Sequence, residues 1–228
     1  QEGIIQENTP VFPCSHGFNY GSLHVGCHGH ASPLPLIPAI ATSCNSYFCW
    51  GLFRMLGDRK YGSPQNALTV WKDHMVSQGF GYRLDVDLPG EGRGFIPNAG
   101  VYDKAYRGRW NGLTIISISI GQGEILATPL QIANLGATIA NRGHFTPPHI
   151  VKEIQDGELD SIYRTPRVPT IERQYYEEIV KGMRAAVTGG TCRIAGSILP
   201  GVEVCGKTGT AQNRGKDHSA FMGFAPMN

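Results

Sequence analysis

The spacing of apolar residues predicts a chain built mainly of amphipathic helices. Apolar side chains recur at intervals of three and four residues in several segments, as on the buried face of a helix. The polar residues at 42–46 interrupt the first segment, and Ser and Asn compete for backbone hydrogen bonds, so two helices with a polar joint are predicted there. The predicted helical segments are 39–56, 65–78, 128–141 and 170–187.

Shorter apolar runs, rich in β-branched residues or alternating with polar ones, predict strands and a hairpin. Helices together with a modest antiparallel sheet indicate an α+β architecture. Two segments lack periodicity and are predicted to be irregular, 1–38 and 80–112. The predicted strands are 113–120, 202–205 and 219–225, and the predicted hairpin is 146–164.

Composition and charge narrow the class of protein. The 228 residues are 41% hydrophobic and 17% charged, which is typical of a globular protein with a full core. A net charge of +2 argues against nucleic acid as the main partner, because no basic stripe is present. No signal peptide or apolar run of about 18 residues occurs. The first residue is not Met and the last follows a strand-like run, so we expect a piece truncated at both ends.

A cluster of Lys, Thr and Gly near the C-terminus is the first candidate site. Lys207 offers an ammonium, and Thr208 and Thr210 offer hydroxyls for a carboxylate or carbonyl group. Gly209 has no Cβ, so a ligand backbone could approach the strand edge closely. These groups suit an extended anionic peptide that adds to the strand.

A second candidate lies in the predicted joint between the first two helices. Ser43 and Asn45 place a hydroxyl and a carboxamide two positions apart, where both could face a cleft. Taken alone, the pair is as typical of a helix cap. Together with Lys207-Thr208-Gly209, however, Ser-x-Asn forms two of the three signatures of penicillin-recognising serine acyltransferases.

Three segments resemble the transpeptidase domain of the class B penicillin-binding proteins, most closely the elongation-specific penicillin-binding protein 2. The resemblance implies the penicillin-binding transpeptidase fold, an antiparallel sheet flanked by helices that is incomplete at both ends. It implies one partial domain over 1–228, with an irregular part at 1–38, a mainly helical part at 39–145 and a sheet-and-helix part at 146–228. The matching segments are 43–48, 120–123 with 127–133, and 207–212.

The third signature of this family, Ser-x-x-Lys, is missing from the sequence. Its serine is the acylated nucleophile, yet no lysine here has a serine three residues before it. The motif precedes Ser-x-Asn in the family, which implies that it lies upstream of Gln1. The resemblance also implies that the last sheet strand and the C-terminal helix are absent. We therefore expect the chain alone to be inactive.

The resemblance implies acyl transfer on the D-Ala-D-Ala end of peptidoglycan stem peptides, with β-lactams as suicide substrates. Ser43 would relay protons, Lys207 would tune it electrostatically and Asn45 would hold the amide of the donor. Thr208 and Thr210 would bind the terminal carboxylate. A membrane glycosyltransferase partner is implied, as is a location at the periplasmic face of the inner membrane, anchored by a segment outside this chain.

A group of cysteines and histidines forms a separate candidate site. Cys27 and His30 have the Cys-x-x-His spacing of metal ligands, and Cys14 and Cys44 could complete a structural Zn²⁺ site. Zinc would order 1–38, and ligation by Cys44 would fix the loop that presents both catalytic side chains. A Cys14–Cys27 disulfide and free buried thiols remain alternatives. Two further histidines could serve as ligands instead, His16 and His28.

Two other functions remain open from the sequence. A β-lactamase or β-lactam sensor would carry the same signatures, although the long polar segment 80–112 and the residues around Gly121 favour a transpeptidase. A non-catalytic, zinc-ordered module that binds cell-wall peptide is the alternative of another class.

Overall fold

The computed structural model describes residues 1–6, 8–9, 11–212 and 215–228, and its mixture of elements confirms the α+β class. No helix within these residues has the length and apolar character needed to cross a bilayer. The strands form two antiparallel pairs, β1 (Gly17–Tyr20) with β2 (Leu23–Gly26) and β3 (Cys205–Ala211) with β4 (His218–Phe224). The helices are α1 (Leu36–Ala41), α2 (Asn45–Gly57), α3 (Pro64–Ser77), α4 (Ala99–Tyr106), α5 (Pro129–Ala140), α6 (Arg173–Thr188) and α7 (Arg193–Ile198), with short 3₁₀ helices at Arg59–Tyr61, Ile116–Ile120 and Ser161–Tyr163.

The predicted break between the first two helices is confirmed. α1 ends at Ala41, and Ser43 takes a left-handed φ of 55°, which no helix accommodates. α2 then begins after Cys44, whose Sγ accepts a hydrogen bond of 3.4 Å from the Tyr47 N–H. Ser43 therefore lies at a sharp corner between α1 and α2.

Capping residues define the starts of α3 and α5, the other helices predicted in the first two-thirds of the chain. Ser63 caps α3, and Thr128 and Gln131 form a reciprocal capping box on α5. The buried Gln131 side chain also donates to the carbonyls of Tyr82 and Arg93, at 2.9 and 3.0 Å. It thereby ties the polar segment before α4 to the core.

The strand predicted at 113–120 is wrong, because this segment forms a turn and the 3₁₀ helix Ile116–Ile120. The Asn111 side-chain amide oxygen accepts hydrogen bonds from the two N–H groups at 113 and 114, which starts a helical turn. Ile115 and Ile118 are buried in a helical core cluster. No strand of the described residues pairs with this segment, so its β-branched side chains are buried from a helical conformation.

The hairpin predicted at 146–164 is also wrong, since no strand forms among these residues. The Asp87 carboxylate accepts hydrogen bonds from the N–H groups of Ile150 and Val151, at 2.9–3.0 Å. Donors that a strand pair would need are therefore engaged by a distant side chain. A side chain so far away in sequence leaves no local signal.

Both segments predicted to be irregular contain regular structure. The segment 1–38 includes the hairpin β1–β2, anchored by the fully buried Phe18. The segment 80–112 includes α4, and its Tyr102 and Trp110 belong to the main helical core. In both segments one or two buried aromatic residues anchor the elements, which are too short for the spacing of their apolar residues to reveal a helix or strand.

β3 begins later than predicted and contains the Lys-Thr-Gly motif instead of preceding it. The predicted strand at 202–205 overlaps it only at Cys205. β4 confirms the strand predicted at 219–225 and pairs antiparallel with β3, with Lys207 opposite Met222.

α6, which confirms the helix predicted at 170–187, packs against both α1 and β3. At Gly182 a Cβ atom would lie 2.7 Å from Cδ1 of Ile40, so α1 approaches the helix backbone closely. On the side facing the sheet, Val180 and Met183 form a core cluster with Cys205 of β3. One helix therefore supports both the Ser43 corner and the Lys207 strand.

Replacing Gly190 with alanine is expected to destabilise the chain by roughly 1–3 kcal/mol, the usual cost of overpacking. A Cβ at this position would lie 2.1 Å from the carbonyl oxygen of Ala41, next to the Ser43 corner. The matched control is Gly189→Ala, because its Cβ would meet nothing within 4 Å. Thermal unfolding measures both, and equal melting temperatures would contradict the prediction.

Candidate active site

The side chains of Ser43 and Lys207 meet, although 164 positions separate them in sequence. Lys207 Nζ donates to Ser43 Oγ at 2.6 Å and to the Thr208 carbonyl at 2.8 Å. The Ser43 oxygen accepts from an ammonium, so its own proton remains available to another group. This pair can hold a proton and pass it on.

Burial lowers the pKa of Lys207 below its usual value, because the ammonium is largely withdrawn from water. Negative charge on the neighbouring Cys192 would act in the opposite direction and is the smaller effect. A lowered pKa brings the ammonium closer to the range in which it can exchange a proton with Ser43.

Asn45 lies in the first turn of α2, and its side chain contacts the hairpin. Its Nδ2 donates to the Gly26 carbonyl oxygen at 2.8 Å. The carboxamide is therefore held in place by β2, beside the corner that carries Ser43. Whether it also binds substrate stays a prediction.

The three predicted substrate-binding residues follow one another along β3. The Thr208 hydroxyl donates to the hydroxyl of Thr191 at 2.9 Å. Gly209 and Thr210 are exposed, and nothing lies within 4 Å of the position that a Gly209 Cβ would occupy. The strand edge thus offers hydroxyls beside open space.

Sequence reasoning did not assign two residues that contact these side chains. Thr191 bonds Thr208, and its N–H donates to the Ala41 carbonyl at 3.1 Å, joining β3 to α1. Gln122 donates through Nε2 to the carbonyl of Thr210 at 2.8 Å. Gln122 lies in the segment 120–123 that carries the family resemblance, but the sequence gives it no role of its own, and only the two glycines before Thr191 precede that residue as a signal.

The family model of the penicillin binding protein transpeptidase domain matches residues 1–228. The chain belongs to this family. It is 33% identical over 210 residues to peptidoglycan D,D-transpeptidase MrdA of Acinetobacter baumannii, which covers 83% of this chain and 29% of that protein. The chain therefore spans about a third of the length of the curated relatives it matches.

Solved structures of penicillin-binding proteins confirm the predicted fold. PBP2 of Pseudomonas aeruginosa superimposes with a TM-score of 0.77 at 26% identity, covering 99% of this chain and 49% of that one. A chain of a peptidoglycan synthase complex, described as coordinating polymerization and crosslinking, gives 0.79 at 27% identity. That match covers 100% of this chain and 37% of the other.

The same chain also brings the four predicted metal ligands together. One ligand atom from each of Cys14, Cys27, His30 and Cys44 lies within 4.8 Å of all the others. His30 Nδ1 contacts the Ala31 carbonyl at 2.7 Å, and Nε2 lies 3.3 Å from the Cys27 sulfur. The imidazole is thus oriented by its own backbone with Nε2 toward the thiols.

The donor set fits Zn²⁺ in number, type and spacing. Zinc–sulfur bonds of about 2.3 Å place tetrahedral ligand atoms about 3.8 Å apart, close to the observed arrangement. Burial raises the pKa of the Cys44 thiol to about 12, and burial followed by the charge of Cys27 raises that of Cys14. Thiolates so disfavoured require a cation to form. Within the described residues the six cysteines are free.

Proposed function

We propose that this chain forms one side of the active site of a peptidoglycan D,D-transpeptidase, of the type that acts in cell elongation. The observation that carries the proposal is the 2.6 Å contact between Lys207 Nζ and Ser43 Oγ. It unites two signatures of the family in one cleft. The similarity to peptidoglycan D,D-transpeptidase MrdA supports the same reaction.

The proposed reaction is acyl transfer through a serine outside this chain, in a Ser-x-x-Lys motif. Its hydroxyl oxygen attacks the carbonyl carbon of the penultimate D-alanine, and the peptide C–N bond breaks. Ser43 delivers a proton to the departing nitrogen and regains one from the attacking hydroxyl, and Lys207 stabilises the negative charge that develops on Ser43 in between. D-Alanine leaves, and an amine of a neighbouring stem peptide then attacks the ester. The amide cross-link forms, the ester C–O bond breaks, and a proton of the amine passes to the freed serine oxygen.

Substrate recognition is assigned to β3 and to the corner beside Ser43. Thr208 and Thr210 present hydroxyls that can donate to the terminal carboxylate, and Gly209 leaves room for the peptide backbone. Asn45 is placed to bind the donor's amide side chain. The cleft offers the same groups to the carboxylate and carbonyl of a β-lactam, which would acylate the same serine.

The proposal extends to location and partners. MrdA is a peptidoglycan enzyme, and the synthase complex named above couples polymerization with crosslinking. We place the parent protein at the periplasmic face of the bacterial inner membrane, anchored by a segment outside this chain. A membrane glycosyltransferase would supply the glycan strands that it cross-links.

A structural Zn²⁺ ion completes the proposal. Cys14, Cys27, His30 and Cys44 would hold it, and its contribution would be to order the segment before α1. Cys44 also caps α2 and lies next to Ser43 in the chain. The ion would thereby keep the catalytic corner in place without taking part in the reaction.

We expect the chain as printed to show no covalent labelling by a fluorescent penicillin, because it has no Ser-x-x-Lys serine. A longer piece of the same protein that includes the motif should be labelled, and preincubation with benzylpenicillin should abolish the label. A labelled band from the short chain would show that the nucleophile is assigned wrongly. Rapid hydrolysis of the penicillin by the longer piece would instead indicate a β-lactamase.

A further inference from the structure

Gln122 covers the free edge of the strand that carries the proposed substrate-binding residues. β3 has β4 on one side, and no strand of the described residues lies on its other side. At that point the Gln122 carboxamide donates to the carbonyl oxygen of Thr210 at 2.8 Å. The two residues are 88 positions apart, so this contact belongs to the tertiary structure.

The loop around Gln122 fixes its backbone. Gly121 and Gly123 have φ values of 74° and 71°, left-handed conformations that favour glycine. The Gln122 N–H donates to the Ser117 carbonyl at 3.1 Å, and a Cβ on Gly123 would lie 2.5 Å from Ser117 Oγ. The carboxamide can therefore leave Thr210 by rotation of its side chain alone.

The Gln122 carboxamide occupies the place on the edge of β3 where the backbone of an extended ligand would bind. A peptide that adds to an open strand edge places its N–H groups against the carbonyls of that edge. The Thr210 carbonyl is such an acceptor, and the exposed Gly209 beside it leaves space for a ligand backbone. The amide N–H of Gln122 and the amide N–H of a peptide are chemically equivalent donors.

We propose that Gln122 is a placeholder for the substrate. Its carboxamide satisfies the Thr210 carbonyl in the unliganded domain and rotates away when a ligand amide N–H takes over that bond. The inference rests on the proposed function and assigns Gln122 a positioning role at the substrate edge of β3. It also defines the ligand class, since a donor peptide or acylamino β-lactam carries the required N–H and a carbapenem does not.

The test uses Gln122→Met in the longer piece of the protein that contains Ser-x-x-Lys. Methionine matches glutamine in length but cannot donate, so an acylamino ligand no longer has a competitor for Thr210. The ratio of acylation efficiencies for benzylpenicillin over a carbapenem is expected to rise about three- to tenfold, the worth of one hydrogen bond. The change should fall on the noncovalent dissociation constant and not on the acylation step.

Gln155→Met is the matched control, because Gln155 is exposed and far from β3 in sequence. This variant should show the same ratio of acylation efficiencies as the unsubstituted protein. A fall in the ratio for Gln122→Met would overturn the proposal, and so would equal changes for both β-lactams. If the unsubstituted protein were acylated by neither compound, the proposed function would fail and this inference with it.

Discussion

Replacing Lys207 with methionine in a protein that includes Ser-x-x-Lys is expected to slow acylation by penicillin about 100- to 1,000-fold. The ammonium donates to Ser43 Oγ at 2.6 Å, so its removal leaves the charge that develops on Ser43 without stabilisation. The hydroxyl itself remains, and the loss should therefore appear mainly in the acylation step. Stopped-flow or gel-based labelling over time measures this rate.

The Lys207→Met variant should be at least as stable as the parent, although its acylation is slower. Because burial lowers the pKa of Lys207, folding disfavours its protonated form, and that cost persists at every pH below the folded pKa. Methionine fills similar volume without a charge, so the melting temperature at neutral pH should stay equal or rise.

Lys104→Met is the control for this pair of measurements, because Lys104 is exposed on α4. It should change neither the acylation rate nor the melting temperature appreciably. A Lys207→Met protein that is labelled as fast as the parent would remove Lys207 from the reaction. A Lys207→Met protein that is slow only because it is unfolded would show a lowered melting temperature, contrary to expectation.

Removal of zinc is expected to lower the melting temperature by roughly 10 °C or more, because structural zinc contributes several kcal/mol to folding. The ligands Cys14 and Cys27 come from the irregular chain around β1 and β2, whereas Cys44 lies at the start of α2. Besides the ion, two apolar clusters hold this region to α2, one around Phe12 and Tyr47 and one around Phe18 and Trp50. Thermal unfolding with and without a chelator measures the effect.

Cys27→Ser should abolish the chelator's effect, because the site then lacks a ligand, and bound zinc should fall below one equivalent. Cys205→Ala is the matched control: it removes a buried thiol from β3 but leaves the four ligands intact. It should keep both the zinc and the response to the chelator. A chelator that leaves the parent's melting temperature unchanged would exclude a structural ion.

Local signals predicted the well-capped helices and the residues of the cleft. The capping box at Thr128 and Gln131 is complete within four residues, so α5 follows from sequence alone. The corner at Ser43 could also be predicted from the sequence, because the polar residues at 42–46 interrupt two apolar segments. That Ser43 and Lys207 meet could be expected only from the resemblance to a known family.

The two segments wrongly predicted to form strands are decided by groups that lie outside them. Asp87 engages the N–H groups that a hairpin at 146–164 would have used. No strand among the described residues pairs with the apolar run at 113–120, and its Ile115 and Ile118 are buried in a helical core. The contact between Gln122 and Thr210 likewise depends on a long-range approach that no periodicity encodes.

The placement of α6 between α1 and β3 has a consequence for how such domains can diverge. α6 fixes α1 and β3 relative to each other, and with them the contact between Ser43 and Lys207, because its Gly182 packs against Ile40 and its Val180 and Met183 pack against Cys205. The segment at 151–165 is almost entirely exposed. Insertions and deletions there should leave the contact between Ser43 and Lys207 unaltered, so this segment is free to change length as the protein acquires new neighbours.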